Sequence, residues 1–224
     1  MTLPTDFSQP IELRCNRDAD ATMLRAPPLI IFQALFVWLV VAVVVGLMFP
    51  NTPAVWAGAA TVISVASVVR VWARKRNELR RTYGQLQRLE LTPNGLRRYD
   101  EAVVIDMPWS QLLRFEYRNS ALPAGRLLAW NPMAGAYNTA TRHSHTVMAW
   151  GIIGHGTVSP LPTASQRKLK IHDRLYGSQL QHGQPHNSDR CLIFPAEFEE
   201  NWTGGVIGAW LCHYRPDLAL PESV

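Results

Sequence analysis

The residues of this chain that could bind a metal are its histidines. His143 and His145 alternate on an expected strand, so both imidazoles point to one face. Imidazoles are zinc ligands, and a metal-dependent enzyme built around this pair is therefore one hypothesis. Further metal-ligating side chains follow at His155, His172, Asp173, His182 and His186. Because their spacing matches no common zinc pattern, we predict that the chain holds no metal and no other cofactor.

Other catalytic patterns are missing from the sequence. Gly154-His155-Gly156 is too short for a phosphate-binding loop and lacks the Lys and the Ser or Thr that would follow it. No Gly-x-Ser-x-Gly motif places a nucleophile on a sharp turn. Acidic pairs occur at Asp100-Glu101 and Glu199-Glu200, at expected element ends, where capping or solvation explains them. We therefore predict a protein without enzymatic activity.

Two apolar runs dominate the first third of the chain. Residues 29–49 carry no charged side chain and one polar side chain, Gln33. At a rise of about 1.5 Å per residue, a helix of this length covers roughly the thickness of a bilayer's hydrocarbon core. Pro50-Asn51-Thr52-Pro53 ends this run, since Pro cannot continue a helix, and a less apolar run covers 54–73. We predict a transmembrane helical hairpin over 29–73, with spans at 29–49 and 54–73.

Small side chains predict how the two helices pack. Ala42 and Gly46 lie four residues apart on the first helix, and Ala57 and Thr61 lie four apart on the second. Small residues let helix backbones approach closely in a bilayer, so we expect Gly46 level with Ala57 and Ala42 level with Thr61. The alternative is a buried helical hairpin of a soluble protein. A signal peptide fits less well, because a second apolar run follows the first.

Charge predicts the orientation of the hairpin. Arg14, Arg17 and Arg25 precede the first run, and the turn has no Lys or Arg. A larger basic set begins in the second run and continues into a juxtamembrane helix expected at 74–87: Arg70, Arg74, Lys75, Arg76, Arg80 and Arg81. The positive-inside rule then places both termini in the cytoplasm. The same six side chains are the predicted contacts with anionic lipid headgroups.

Composition is compatible with the hairpin and one further domain. The chain has 224 residues, a formal net charge of +5 and a pI of about 9.4. After a cytoplasmic N-terminal segment at 1–28 and the hairpin, enough chain remains for one domain at 88–224. The basic excess clusters beside the predicted spans, so we expect the bilayer and no nucleic acid as a partner. The three cysteines, Cys15, Cys191 and Cys212, are expected to be free thiols.

After residue 87 the pattern becomes alternating. Residues 89–92 and 96–99 flank Pro93-Asn94-Gly95, which favours a β-hairpin, because Asn and Gly tolerate positive φ. Further strands are predicted at 102–107, 113–118, 126–130, 146–153 and 191–194. Pro195 then begins a helix whose apolar residues recur at helical spacing as far as His213. The predicted fold is an α+β membrane protein in which this helix caps an antiparallel sheet.

Several of these features together resemble the bacterial YcxB-like membrane proteins. The resemblance rests on the apolar hairpin, on Pro108-Trp109-Ser110-Gln111-Leu112 after the early strands, and on Ile193, Pro195 and Phe198 before the last helix. It covers 29–119 and 190–214. It implies a pleckstrin-homology-like (PH-like) cytoplasmic domain at 88–224 and a place in the bacterial inner membrane. Members of that family mostly lack an assigned activity, so the resemblance implies a fold and a topology.

Residues 131–190 depart from the family pattern. The segment is rich in polar and turn-forming residues, and we interpret it as a long insertion of about 131–190. Trp130, Tyr137 and Trp150 are candidate partner contacts near it, although each is also a candidate core residue. Arg167-Lys168-Leu169-Lys170 forms a basic run that is either a solvated face or a second headgroup contact.

The function predicted from the sequence is binding. A PH-like domain held at the membrane would present its surface to a protein partner or to anionic lipid headgroups. One alternative is a membrane immunity protein that neutralises a cognate bacterial toxin through the long insertion. Another is the metal-dependent enzyme based on His143 and His145. A fourth is an accessory subunit of a larger membrane complex.

Overall fold

The computed structural model describes residues 6–24, 27–49, 51–119, 148–177 and 179–222. The chain divides into two compact units. One comprises residues 1–18, 81–126 and 146–224, and the other comprises 19–80 and 127–145. The predicted strand at 126–130 and the residues Trp130, Tyr137, His143 and His145 lie outside the described residues.

Three helices form the described part of the second unit. They are α1 (Ala19–Leu24), α2 (Pro27–Met48) and α3 (Pro53–Arg81). Pro27 and Pro53 are the first residues of α2 and α3, where the missing N–H of proline costs no helical hydrogen bond. The backbone N–H of Val55 donates to the carbonyl oxygen of Thr52 at 3.0 Å, which closes the turn between the two long helices.

Polar side chains join α2 to α3. The Ser64 hydroxyl donates to the carbonyl oxygen of Ala34 at 2.7 Å, and the Trp38 indole N–H donates to the Thr61 hydroxyl at 3.1 Å. Trp38 also meets Trp56 edge to face, with ring centroids 6.4 Å apart. Near the turn, a Cβ built on Gly46 would lie 3.9 Å from the Trp56 ring. Thr61 therefore bonds to Trp38, one helical turn before the expected Ala42.

The apolar side chains of the two long helices are largely exposed. Leu47 on α2 is 80% exposed, and Val62 on α3 is 69% exposed. In the described part of the chain, one helix is long and apolar enough to cross a membrane: α3 together with its extension to Leu86. The apolar helix Ala34–Met48, within α2, is shorter than that criterion requires. By length and composition, α3 is thus the helix of the predicted pair that meets the criterion for a membrane span.

An antiparallel sheet forms the first unit, as the sequence predicts. Its strands in the described residues are β1 (Ile11–Arg14), β2 (Arg88–Thr92), β3 (Gly95–Tyr99), β4 (Val103–Pro108), β5 (Leu112–Asn119), β6 (Met148–Pro160) and β7 (His186–Ile193). They lie in the order β1-β2-β3-β4-β6-β5, and β7 pairs with β6. The long strand β6 is central, because it pairs with β4, β5 and β7. The fold is α+β.

The first strand was not predicted, yet it links the two ends of the helical segment. β1 pairs antiparallel with β2, and Ile11 lies opposite Leu91 while Arg14 lies opposite Arg88. The chain therefore leaves the sheet after Arg14 and returns to the neighbouring position at Arg88. After α3 the helix continues as a π-helical segment (Thr82–Leu86) before β2 begins.

The predicted β2–β3 hairpin is confirmed. Thr92 lies opposite Gly95 across the turn, and the Thr92 hydroxyl donates to the Gly95 carbonyl oxygen at 2.9 Å. A Cβ on Gly95 would collide with the carbonyl oxygen of Met107, so close packing of β3 against β4 requires glycine here. The indole N–H of the buried Trp109 donates to the Thr92 carbonyl oxygen at 2.8 Å and holds the turn from the other side.

The described part of the expected insertion belongs to the domain. Residues 148–190 contain β6, the helix α4 (Gln166–Tyr176), a 3-10 turn (Leu180–His182) and half of β7. The run 167–170 thus lies on α4 instead of in a loop. Lys168 forms an ion pair with Glu101, and Leu169 is buried in the core.

The predicted C-terminal helix begins later than expected. A 3-10 turn covers Pro195–Glu197, and the helix α5 begins at Val206 and ends at Tyr214. Glu199 caps α5, because its two carboxylate oxygens accept from the backbone N–H of Val206 at 2.9 Å and of Ile207 at 3.0 Å. A helix starting at Pro195 was therefore wrong: glycine is a poor helix former, and Gly204-Gly205 lets the Glu199 carboxylate reach the helix start.

The core of this unit lies between α5 and one face of the sheet. Trp210 is fully buried and stacks at 6.2 Å on Trp109, which stacks in turn on Tyr214 at 5.1 Å. The same cluster contains Ile207 of α5 and buried apolar residues of five strands, which are Leu89, Leu91, Leu96, Ile105, Met107, Ile152 and Ile193. Burial of these side chains supplies the main driving force for folding.

We predict that Gly95→Ala destabilises the domain by about 1–3 kcal/mol, the usual cost of overpacking. The added methyl group would meet the Met107 backbone, which cannot move without breaking the β3–β4 pairing. Chemical denaturation of the purified full-length protein measures the change in the free energy of unfolding.

Gly84→Ala is the matched control, because a Cβ on Gly84 has no neighbour within 4 Å. Equal effects of the two substitutions would contradict the proposed close packing at Gly95.

Candidate functional site

The basic residues at the end of α3 occupy two faces of one helix. Arg70, Arg74 and Arg81 follow one another at spacings of four and seven residues, and all three are exposed. Such spacings place side chains on one stripe of an α-helix. Arg76 and Arg80 lie four residues apart on a different stripe, and Lys75 also lies on α3. The sequence predicted all six as one headgroup-binding set.

Asp20 of α1 engages the second stripe. Its carboxylate accepts from Arg76 Nε at 2.6 Å and Nη2 at 2.8 Å, which is a bidentate pair, and from Arg80 Nη2 at 2.8 Å. Hydrogen bonds from Arg76 first, and from Arg80 second, hold the pKa of Asp20 well below its usual range. α1 is thereby fixed to α3, and part of the charge of Arg76 and Arg80 is neutralised. Among the residues that the structure describes, no acidic side chain pairs with Arg70, Arg74 or Arg81.

A buried ionic cluster centres on Glu197, which is 4% exposed. Its carboxylate pairs with Arg17 at 2.9 Å and with Arg98 at 3.0 Å, and Arg98 also lies 3.6 Å from Asp100. The backbone N–H of Asn16 donates to the Glu197 carbonyl oxygen at 2.7 Å. Glu197 therefore holds the chain just after β1 by both its side chain and its backbone. From the sequence, Arg17 counted only towards the orientation of the hairpin and Asp100 only as a capping or solvated residue, so the cluster itself was not predicted.

Burial sets the protonation states around this cluster. Burial alone lowers the pKa of Arg98, but the carboxylates of Glu197 and Asp100 outweigh it and raise that pKa above its usual range. Burial lowers the pKa of His172 and raises the pKa of Tyr176 to about 12. At neutral pH the cluster thus holds a charged arginine, a neutral imidazole and a protonated phenol. Among the described residues, His172 Nδ1 and both carboxylate oxygens of Asp173 have no hydrogen-bond partner.

Burial also keeps the thiols of Cys15 and Cys191 protonated. Burial raises the pKa of Cys15, and it raises the pKa of Cys191 to about 11. Thiolates, not thiols, are the reactive form, so neither cysteine has the environment of an activated nucleophile. Cys15, Cys191 and Cys212 are all free, as predicted.

The histidines do not converge in the described part of the chain. His155 lies in a bulge of β6, 3.5 Å from Asp189, whereas His172 belongs to α4. No group of three or more His, Cys, Asp or Glu side chains among the described residues could hold a metal ion. His143 and His145 lie outside those residues, so the metal hypothesis for that pair stays a prediction.

Trp150 is the described member of the predicted aromatic contacts. It is half-buried on β6, packs against the core cluster and meets Tyr117 edge to face, with ring centroids 5.4 Å apart. The two residues are direct partners across β5 and β6. Trp150 therefore stabilises the sheet, whereas the exposed Tyr117 ring presents its surface outward. Trp130 and Tyr137 lie outside the described residues.

Comparison with known proteins adds no relative. No family model matches the chain, and neither the curated proteins nor the solved structures contain a significant match. The YcxB-like resemblance stays a prediction, and any function has to be argued from the contacts described above.

Glu197→Gln is expected to destabilise the protein by about 3–5 kcal/mol, because it leaves the buried Arg98 charge and the Arg17 charge without their shared partner. Chemical denaturation of the full-length protein measures this loss. The exposed Glu200→Gln is the matched control and should change stability by less than about 0.5 kcal/mol. A similar, small effect of both variants would show that the cluster contributes no stability.

The buried imidazole of His172 predicts a dependence of stability on pH. Its pKa is lowered in the folded state, so the unfolded chain binds the proton first as the pH falls below about 6.5. Stability from this group is full above that pH and declines towards the lower folded pKa. Thermal midpoints measured from pH 8 to pH 5 should show a smaller decline in His172→Gln than in the exposed-site control His182→Gln. Parallel curves would contradict this assignment.

Proposed function

We propose that this chain is a bacterial inner-membrane protein that anchors itself by the α2–α3 hairpin and presents its α+β domain, of PH-like type, on the cytoplasmic side. The domain and the basic stripe of α3 would bind anionic lipid headgroups or a protein partner. The pairing of β1 with β2 across the helical segment is the observation that carries this proposal.

Strand pairing constrains how often the helical segment can cross a bilayer. Because Arg14 lies opposite Arg88 in one sheet, residues 15–87 must begin and end on the same side. The number of crossings is therefore even. A crossing by α3, which meets the length and composition criterion for a span, would therefore require one further crossing. In the described part of residues 15–87, α2 is the other long apolar helix, and the proposal assigns the return crossing to it.

The exposed side chains of the hairpin support a lipid environment. α2 exposes Leu35, Leu39 and Val43, and α3 exposes Val65 and Val69, each by more than half of its surface. Continuous apolar patches of this extent are rare on soluble monomers. Polar groups instead face the partner helix, since Ser64 bonds to Ala34 and Trp38 bonds to Thr61. Apolar residues outside and satisfied polar groups inside are the arrangement that a bilayer requires.

Charge supports the orientation. Arginines flank both ends of the hairpin, at Arg14 and Arg17 before it and along the end of α3 after it, whereas the turn at 50–53 has none. The positive-inside rule then favours a cytoplasmic sheet domain and a periplasmic turn. The exposed stripe of Arg70, Arg74 and Arg81 would meet anionic headgroups, at about 1 kcal/mol for each arginine near the surface.

Labelling of cysteines in intact cells tests both topology and side. Native Cys212 is exposed in the sheet domain, and Asn51 is exposed in the turn. With a membrane-impermeant maleimide, we expect Asn51→Cys in a Cys212→Ser background to react in cells whose outer membrane is permeabilised. Cys212 of the unaltered protein should react only after the inner membrane is opened.

Three results would contradict the proposed function. One is labelling of Cys212 in cells with an intact inner membrane, which would place the domain outside. Another is recovery of the chain in the soluble fraction without detergent, which would favour the soluble hairpin. The third is labelling of neither site before lysis, because a hairpin that does not cross the inner membrane leaves both sites in the cytoplasm.

A further inference from the structure

Three arginines surround a small cavity on the sheet domain. Arg114 and Arg118 of β5 and Arg190 of β7 line a space of about 80 Å³, together with Glu116 of β5. The three β5 residues alternate along the strand, so their side chains lie on one face. The intervening Phe115 and the β6 residue Ile152 belong to the core, which places the arginines on the opposite face of the sheet.

Ile153 of β6 and the β7 residues Cys191 and Leu192 complete the lining of this cavity. Across the β5–β6 pairing, Arg114 lies opposite Ile153, Glu116 opposite Gly151 and Arg118 opposite Ala149. A Cβ on Gly151 would lie 2.5 Å from Leu192 Cδ1, so glycine at this position leaves room for the Leu192 side chain. The lining of the cavity thus combines the side chains of Ile153, Cys191 and Leu192 with the four charged ones.

Glu116 pairs with two of the guanidinium groups but does not occupy all of their N–H donors. Its carboxylate lies 3.3 Å from Arg114 Nη2 and 2.8 Å from Arg118 Nε. Each guanidinium carries five N–H donors, so several remain on both side chains. Arg190 has no acidic partner within 4 Å in the described part of the chain. Three arginines and one glutamate give the cavity a net charge of +2.

We propose that this cavity binds one phosphate group. Guanidinium forks match the geometry of phosphate oxygens and bind them in pairs, which a single ammonium cannot do. The doubly charged phosphate balances the net charge of the site. A cavity of about 80 Å³ has room for the phosphate group itself and not for an attached base or acyl chain, which would extend into solvent.

The phosphate could be free in solution or belong to a lipid headgroup. Binding of a lipid headgroup rests on the proposed membrane anchoring. It would identify the headgroup phosphate as the group that the domain recognises. Binding of free phosphate does not rest on it. The two sources therefore require separate measurements on the same protein.

Binding of radiolabelled inorganic phosphate to the full-length protein in phosphatidylcholine nanodiscs tests the free source, at low ionic strength, where screening is weak. We expect Arg190→Gln and Arg118→Gln each to weaken binding by about tenfold, the usual effect of losing a hydrogen bond to a charged group. Arg14→Gln is the matched control, since this arginine of β1 is also exposed and removes the same charge.

Native mass spectrometry of the same proteins in nanodiscs that contain phosphatidic acid tests the lipid source. Because the stripe of Arg70, Arg74 and Arg81 is intact in every variant, the readout is the number of phosphatidic acid molecules retained. Fewer molecules on Arg190→Gln and on Arg118→Gln than on the unaltered protein and on Arg14→Gln assign the site to a headgroup. If neither phosphate binding nor lipid retention differs among the three variants, the proposal is overturned. A protein that stays soluble without nanodiscs contradicts the anchoring alone, and the phosphate titration in buffer then still tests the cavity.

Discussion

The antiparallel pairing of β1 with β2 is the constraint on which the other features depend. It joins residues that are far apart in the sequence, and further bonds extend it: the Cys15 N–H donates to the Gln87 carbonyl oxygen at 3.2 Å. The entropy cost of closing so long a segment grows only slowly with its length, and the helix pair stiffens the segment further. The sheet therefore cannot be completed unless both ends of the helical segment meet. This requirement means that the segment can cross a bilayer only an even number of times.

The buried Glu197 also holds the chain that follows β1 close to the sheet. It contacts the chain after β1 through Arg17 and Asn16, and it contacts β3 through Arg98. Buried ion pairs contribute little net stability compared with apolar replacements, whereas removal of one partner costs much. We infer that the cluster serves mainly to fix one arrangement: an apolar contact could slide along the sheet, but a shared carboxylate holds Arg17 and Arg98 at one distance.

Local patterns in the sequence predicted the elements that depend on neighbouring residues. The β2–β3 hairpin follows from Asn94-Gly95 between two alternating runs, and the helical character of α3 follows from its composition. β1 was missed because its four residues, Ile11 to Arg14, are too few for a periodicity, and their partner lies beyond the whole hairpin. α4 was missed because its turn-rich surroundings and charged residues suggested a loop, although Leu169 and His172 are buried on one face of it.

In the candidate sites, too, local sequence patterns identified charged residues but not their partners. Clustering in the sequence identified the basic end of α3, but it could not separate the stripe of Arg70, Arg74 and Arg81 from the pair that Asp20 engages. Of the arginines around the β5–β7 cavity, Arg190 lies far from Arg114 and Arg118 in the sequence, and only the β5–β6–β7 pairing brings it to them. Alternation within β5 was visible, since Arg114, Glu116 and Arg118 share a face of any strand. The sequence does not show that β7 lies beside β6, because strand order depends on long-range pairing and not on local periodicity.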